Sequence, residues 1–323
     1  MSDSRTRPAV TVVIPCFNQG RFLPAAVASV RAQDHQHVEC IVVDDGSTDG
    51  TATIASELGM RLLQQPNRGV SEARNAGLAA AQGDLVVFLD ADDELLPGAL
   101  GRRADVLASD PAAAAVVGRC QAMDVAGHPV AALHVPVDAS NAYEQWLSRN
   151  FVWAPGAAMF RRRELDAIGG FPAGLGPAAD YAVYLRLARE GRVRVIADEV
   201  ARYRQHEANM SRDPALMLRA TLAVLRREGR EAAAGKRNSI RRARRVWADW
   251  YGEQIVHRLR TDWRAGRRGA FQVRAFATLV RHAPWVALRH LRHKAGLTLV
   301  AACSRTMLLC RRAVSTGRRK VAP

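Results

Sequence analysis

The sequence predicts an α/β fold, a mostly parallel sheet with helices on both faces, followed by an α-helical and strongly basic C-terminal region. Short apolar runs at Ala9–Ile14, Glu39–Val43 and Leu85–Leu89 alternate with Ala- and Leu-rich segments near Gly20–Ala32, Asp49–Leu58 and Gly69–Ala81. Apolar strands need cover on both sides, and helices lying between successive strands supply it as parallel crossovers. Polar residues follow each run directly. In open sheets of this kind, ligands bind beyond the carboxyl ends of the strands.

The first run leads into Pro15-Cys16-Phe17-Asn18, the second into Asp44-Asp45-Gly46-Ser47-Thr48-Asp49, and the third into Asp90-Ala91-Asp92-Asp93. Asn18 and up to five carboxylates thereby converge on one sheet edge. Such a cluster is costly unless a cation or hydrogen-bond donors compensate it. Asp44–Asp49 equally suits a turn and a helix N-cap, with Ser47 or Asp49 as the capping residue. Asp90-x-Asp92 directly follows a buried-type strand and offers oxygen ligands suited to a hard divalent cation. No GxGxxG follows the first strand and no GxxxxGK[ST] occurs, which argues against a dinucleotide fingerprint and a P-loop.

The chain has 323 residues with a net charge of +16, which taken whole points to a polyanionic partner. Partitioned, residues 1–212 hold 21 Lys and Arg against 25 Asp and Glu, and residues 213–323 hold 26 against 6. Two regions with different partners are expected, a mildly acidic α/β domain over 9–212 and a basic amphipathic helical region over 213–323, after a disordered N-terminus, 1–8. Five cysteines without CxxC spacing fit neither a zinc site nor a disulfide framework. Met1–Pro8 lacks the apolar stretch of a signal peptide, and no apolar run reaches the roughly 18 residues of a spanning helix, so a cytoplasmic location is expected.

The ordered motifs Val13-Ile-Pro-Cys-Phe-Asn18, Val42-Val-Asp-Asp-Gly-Ser-Thr-Asp49, Asn67-Arg-Gly69 through Ala73-Arg-Asn-Ala-Gly77, and Phe88-Leu-Asp-Ala-Asp-Asp93 resemble the family 2 inverting glycosyltransferases with the GT-A fold. The resemblance continues through Pro155–Arg161, Gly169-Gly-Phe171, Ala179–Arg186 and Tyr203-Arg-Gln-His206, covering about residues 9–212. It implies a nucleotide-diphospho-sugar donor. Asp45 would accept a hydrogen bond from the base, Arg74 would lie near base or diphosphate, and Asp90 would approach the ribose or assist a metal. Pro15, Asn18 and Asp44 belong to the same donor-binding loops. Asp92 would ligate Mn2+ or Mg2+ bridging the diphosphate, a Lewis acid for the leaving group, and His206 would complete the metal or phosphate environment.

The resemblance also implies that Asp180 is the catalytic base. Inverting transfer is a single displacement, and a carboxylate must take the acceptor hydroxyl's proton as the new bond forms. The family pattern Glu-Asp-x-Asp-Leu is here Ala179-Asp180-Tyr181-Ala182-Val183, so both flanking acids are Ala. Their loss relieves like-charge repulsion on Asp180 or alters acceptor choice. Asp180 also suits the N-cap of a helix Tyr181–Glu190. Trp153, Gly170 and Phe171 fall where the family shapes its acceptor side; either ring could stack on a sugar or belong to the core.

Beyond Arg212 the pattern is helical: Ala220–Arg230, Ser239–Arg260, Gly269–Arg281 and Trp285–Cys310. Val246, Trp250, Ile255 and Leu259 are expected on one face of the second segment, with Arg241, Arg242, Arg244 and Arg245 outward. Arg-rich helices with Trp and Leu suit an anionic membrane surface, so peripheral association with the inner face of the cell membrane is expected; a small bundle with solvated Arg is the alternative. No nucleic-acid-binding signature accompanies the charge, and no nucleic acid is expected. The resulting expectation is a metal-dependent inverting glycosyltransferase acting on a glycan or lipid-linked hydroxyl acceptor in cell-surface polysaccharide, lipopolysaccharide or other glycan synthesis. The alternatives are a catalytically inactive binding module of the same fold and a nucleotidyltransferase; Pro15–Gly20 lacks the basic phosphate loop of the latter.

Overall fold

The structure is a computed structural model that describes residues 8–133, 142–150 and 152–291. The expected disordered N-terminus lies outside these residues except for Pro8, as does the part of Trp285–Cys310 beyond 291. The chain forms two compact units, Met1–Trp247 and Ala248–Pro323.

The first unit opens with β1 (Val10–Cys16), α1 (Leu23–Arg31), β2 (Val38–Asp44), α2 (Thr51–Glu57), β3 (Arg61–Gln64), α3 (Val70–Ala80) and β4 (Leu85–Phe88). It continues with β5 (Glu94–Leu95), α4 (Ala99–Ser109), β6 (Ala115–Met123), β7 (Pro129–Leu133), α5 (Ala142–Ser148), β8 (Ala158–Arg161), α6 (Arg162–Ala167), α7 (Ala179–Arg189), β9 (Val193–Arg204) and α8 (Pro214–Glu231). The sheet order is β3-β2-β1-β4-β8-β6-β9-β5, with β7 on β6. β1 through β4 pair in parallel, as the apolar runs predict. The second half is mixed: β8 runs antiparallel to β4 and β6, while β9 is parallel to β6 and antiparallel to β5. Strand order reverses between β1 and β4, and that switch point opens the crevice where such folds bind ligands.

Every residue of β1 is buried. α3 lies close on this strand because Gly77 has no side chain: a Cβ there would come within 2.2 Å of Val13 Cγ1. Under the other end of the crevice, Phe88 packs edge-on against Phe171 (centroids 4.6 Å) and Phe160 (6.3 Å), and Phe160 stacks on Tyr184 (6.1 Å). This aromatic floor fixes β4, β8 and α7 relative to one another. Truncating such a buried ring costs about 3–5 kcal/mol.

α8 begins at Pro214, ahead of the expected Ala220, because Asp213 caps it by accepting from the backbone N–H groups of Ala215 (2.9 Å) and Leu216 (3.0 Å). Although it follows the charge break, its Glu228 accepts from Tyr143 (2.8 Å) and pairs with Arg189 of α7 (3.0 Å).

α9 (Arg237–Arg264) runs from the first unit into the second. Its buried positions include Ile240, Ala243, Trp247 and Ile255, whereas Val246 and Trp250 are exposed. The expected inner face is therefore corrected by about one residue: Trp247 carries the helical phase, and its indole N–H donates to the Leu147 carbonyl (2.8 Å). The four Arg expected outward are exposed.

In the second unit, α10 (Ala270–His282) follows α9, and residues 284–291 are again helical. Asp262, wholly buried, accepts from Arg267, Gln272 and Arg258 and so ties the end of α9 to the start of α10. Trp285 donates to Asp249 (2.5 Å), and Glu253 receives Arg289 and His290. Among the described residues, no helix is long and apolar enough to cross a membrane.

Candidate active site

Two loops at the carboxyl edge of β1 and β2 are knitted together. Asn18, in the left-handed region at φ 53°, donates its backbone N–H to Ser47 Oγ (2.9 Å) and accepts from the Thr48 backbone N–H (2.8 Å). Asp49 accepts from the backbone of Gly20 (3.0 Å) and Thr51 (3.1 Å), leading the chain into α2, whose N-cap is Gly50. Asn18 and Ser47 thus hold the loops, and Asp44 closes the turn by accepting from the Ser47 N–H (2.9 Å). Pro15 lies in β1 beside Val43 and shapes the strand's exit.

Asp45 is buried and accepts three hydrogen bonds: Gln65 Nε2 (2.7 Å) and the Arg68 N–H (2.9 Å) on Oδ1, and the Gly69 N–H (2.8 Å) on Oδ2. This carboxylate draws the end of β3 and the start of α3 to the crevice. Gln65 carries no sequence signal, since no motif marks the end of an exposed edge strand.

The third strand end gathers the acids. Donor atoms of Asp90, Asp92 and Asp93 all lie within 4.8 Å of one another. Burial first, and mutual repulsion second, raise the proton affinity of Asp92 and, more strongly, Asp93. Compensation comes from Arg204 at the end of β9. Its backbone N–H donates to Asp93 (2.9 Å), its Nε to the Asp92 carbonyl (2.8 Å) and its Nη2 to Glu94 (2.6 Å). The pairing of Glu94 with Arg202 and Leu95 with Ala201 brings these distant segments together. His206 follows, its Nε2 in a hydrogen bond with Asp92 Oδ2 (2.8 Å) and its ring stacked on Phe22 (5.1 Å). Gln19 donates to the same Asp92 oxygen (3.0 Å). Among the described residues, Asp93 Oδ2 and His206 Nδ1 are buried polar atoms without a hydrogen-bond partner.

Arg74, projecting from α3, is buried and donates from Nη2 to Asp90 Oδ1 (2.8 Å). Its guanidinium lies 5.4 Å from the centre of the Phe171 ring. Burial works against its charge, but Asp90 and Asp180 together hold its proton affinity above the usual range. Asp180 sits in the first turn of α7; Ala178 is the N-cap, so the capping alternative does not hold. Burial pushes the Asp180 carboxyl up to about 6; Arg74 and the Tyr181 N–H (2.7 Å) pull down, and the Asp90 charge pushes up.

The expected acceptor residues separate. Trp153 is 44% exposed and offers a ring face. Phe171 is a core residue, not a sugar platform, since at 2% exposure its faces are taken by Phe88 and Arg74. Gly170, at φ 68°, passes so close to Asn75 that a Cβ would meet its Oδ1 at 2.5 Å. Asn75 in turn holds Phe171 through its backbone N–H and carbonyl, both at 2.8 Å. Arg204 and Asp93 lie inside quoted motifs, yet their role depends on strand pairing that spacing does not reveal.

A switch-point crevice walled by Asn18 at the end of β1 and by carboxylates at the ends of β2 and β4, with Arg74 and Asp180 buried behind it, defines an α/β protein of GT-A type. Residues 11–169 match the glycosyl transferase family 2 model, and this segment of the chain belongs to that family. It is 31% identical over 219 residues to an uncharacterized glycosyltransferase of Nostoc sp., spanning 62% of this chain and 66% of the relative. It is 39% identical over 100 residues to a Campylobacter jejuni GalNAc(5)-diNAcBac-PP-undecaprenol beta-1,3-glucosyltransferase, spanning 29% of this chain and 32% of that protein. The matches thus span just under two thirds of the first relative and about a third of the second. Among solved structures, a mannosyltransferase of Pyrobaculum calidifontis in complex with GDP-Man and Mn2+ aligns with TM-score 0.59 and 21% identity over 89% of this chain and 86% of that one. S. aureus TarS in complex with UDP-GlcNAc aligns with TM-score 0.55 and 17% identity, covering 88% and 92%.

Proposed function

We propose that the protein is an inverting glycosyltransferase that moves a sugar from a nucleotide-diphospho-sugar to a hydroxyl acceptor, with a divalent cation at the diphosphate. The observation that carries this reading is Asp180: a buried carboxylate with raised proton affinity, coupled through Arg74 to the acids of the donor crevice. A base whose ordinary affinity is too weak for a hydroxyl proton is improved by such burial.

The residues present fit a hard cation. Three carboxylates offer clustered oxygens, and among the described residues Asp93 Oδ2 and His206 Nδ1 are buried polar atoms lacking hydrogen-bond partners. Asp92 and His206 would hold Mn2+ or Mg2+ with assistance from Asp90, and the cation would offset charge on the leaving diphosphate. Asp45 would receive a base N–H on the oxygen that accepts only one hydrogen bond. Arg74 fixes Asp90 for the ribose. Asp180 would take the acceptor proton onto a carboxylate oxygen, and the exposed Trp153 ring would present a stacking face. The acceptor is read as a glycan or lipid-linked hydroxyl, supported by the lipid-linked acceptor in the name of the Campylobacter relative, and the location as cytoplasmic.

The deciding assay is hydrolysis and transfer with a panel of UDP-, GDP- and dTDP-sugars in Mn2+ or Mg2+. Release of the nucleoside diphosphate from one donor class, abolished in Asp180→Asn, is expected. Donor binding without turnover in any combination would make the protein a binding module, and release of pyrophosphate from a nucleoside triphosphate would make it a nucleotidyltransferase.

A further inference from the structure

α10 in the second unit is apolar on two faces. One face carries Ala275, Thr278 and Leu279, all buried. On the other, Val273, Phe276 and Val280 are 69%, 57% and 47% exposed. At about 100° per residue these three fall within one stripe about 60° wide, centred about 140° around the helix from the packed face. Exposed Arg274 and Arg281 line one edge of the stripe, and α10 contains no Asp or Glu. The neighbouring elements add exposed apolar side chains: Leu288 and Leu291 in the next helical stretch, and Trp263, with the Arg268 guanidinium 4.0 Å from its ring centre.

Charge selects what this stripe meets. Residues 248–323 contain sixteen Lys and Arg and three acidic residues. A second copy of the unit would bring like charge against like. The chain's own residues 292–323, with eight Lys and Arg and no acids, would do the same. A nucleic-acid backbone would neutralise the arginines but leave the valines and Phe276 without use. An anionic lipid surface satisfies both features: apolar side chains at the headgroup–acyl boundary and guanidinium groups at lipid phosphates.

We infer that the outward face of α10 is a docking surface for anionic lipid, with Val273, Phe276 and Val280 entering the interface and Arg274 and Arg281 meeting the headgroups. The helix lies in the membrane plane. This surface is independent of the transferase chemistry, so either reading can fail without the other.

The test is co-flotation of the full chain with phosphatidylcholine vesicles, with and without phosphatidylglycerol. Binding is expected to the anionic vesicles, weakening as salt rises. Val273→Ser, Phe276→Ser and Val280→Ser together should lower partition by at least roughly tenfold, and Arg274→Gln with Arg281→Gln by about fivefold per arginine. An unchanged thermal transition identifies folded variants, and Phe276→Ser alone, expected to weaken binding by a smaller factor, serves if the triple variant is unstable. Equal binding to neutral vesicles, or partition unaffected by the apolar substitutions, overturns the inference. So does a dimer dissolved by those substitutions in a protein that ignores vesicles.

Discussion

Arg74 Nη2 and Asp90 Oδ1 form an ion pair of 2.8 Å in which the arginine is buried and the carboxylate is partly open to the crevice. The same guanidinium stands against Phe171 and lowers the proton affinity of Asp180. One side chain thus connects the acids of the crevice, the aromatic floor and the candidate base.

Arg74→Gln should therefore act at two places. Losing a charged hydrogen-bond donor to Asp90 is expected to destabilise the fold by about 1.5–3 kcal/mol, read as a lower midpoint in urea. With its opposing charge gone, Asp180 should also hold its proton more tightly, moving the acidic limb of kcat/KM to higher pH. Arg74→Lys should retain part of the first effect's protection and shift the limb less.

Asp180→Asn should lower kcat by about 10²–10⁴ while leaving donor affinity nearly unchanged, because a base at this position would act on the acceptor proton. Calorimetric donor binding alongside turnover makes the comparison. Wild-type turnover in the variant would remove Asp180 from the chemistry.

The pH dependence of Asp180 has opposite signs for activity and stability. Transfer needs the ionised form, so kcat/KM should rise with pH through about 6. The folded carboxyl binds its proton more tightly than the ordinary value of 3.8, so ionisation costs stability as pH climbs from 3.8 through about 6, and the full cost persists above that. At roughly 1.4 kcal/mol per pH unit the cost is at most about 3 kcal/mol. Asp180→Asn should accordingly melt higher than wild type at neutral pH, and the gain should shrink as pH falls from about 6 towards 3.8 and vanish below that.

Asp92→Asn should weaken donor binding in Mn2+, and EDTA should weaken wild-type binding in the same way while changing the variant little. His206→Gln, which keeps a polar side chain near Asp92, should have a smaller effect. Donor affinity indifferent to EDTA in the wild type would count against the cation.

The parallel half of the sheet is legible because β1, β2 and β4 are apolar runs with no alternative use. β3 is not: at the sheet edge Arg61 and Gln64 are exposed, and four residues of mixed polarity carry no signal. β5 has two residues and exists only through pairing with β9. The acids of the crevice are readable as motifs, whereas Arg204's role is not, since it follows from joining Asp93 to a residue 111 positions away. Phe171 shows a different gap. An aromatic side chain suits a sugar or a core equally, and only its burial between Phe88 and Arg74 decides. In α9, Trp247 and Trp250 are both candidates for the inner face, and the helix turns the former inward.

The contact of Gly77 with Val13 reaches beyond packing. Arg74 stands one turn before Gly77 on α3, so the height of that helix above β1 sets how deep the guanidinium sits. Any larger residue at 77 would lift the helix and draw a positive charge away from Asp90 and Asp180 together. A position with no functional group therefore governs the electrostatic balance of the crevice, and a Gly77→Ala protein that still folds would be impaired in chemistry while every reactive side chain remained in place.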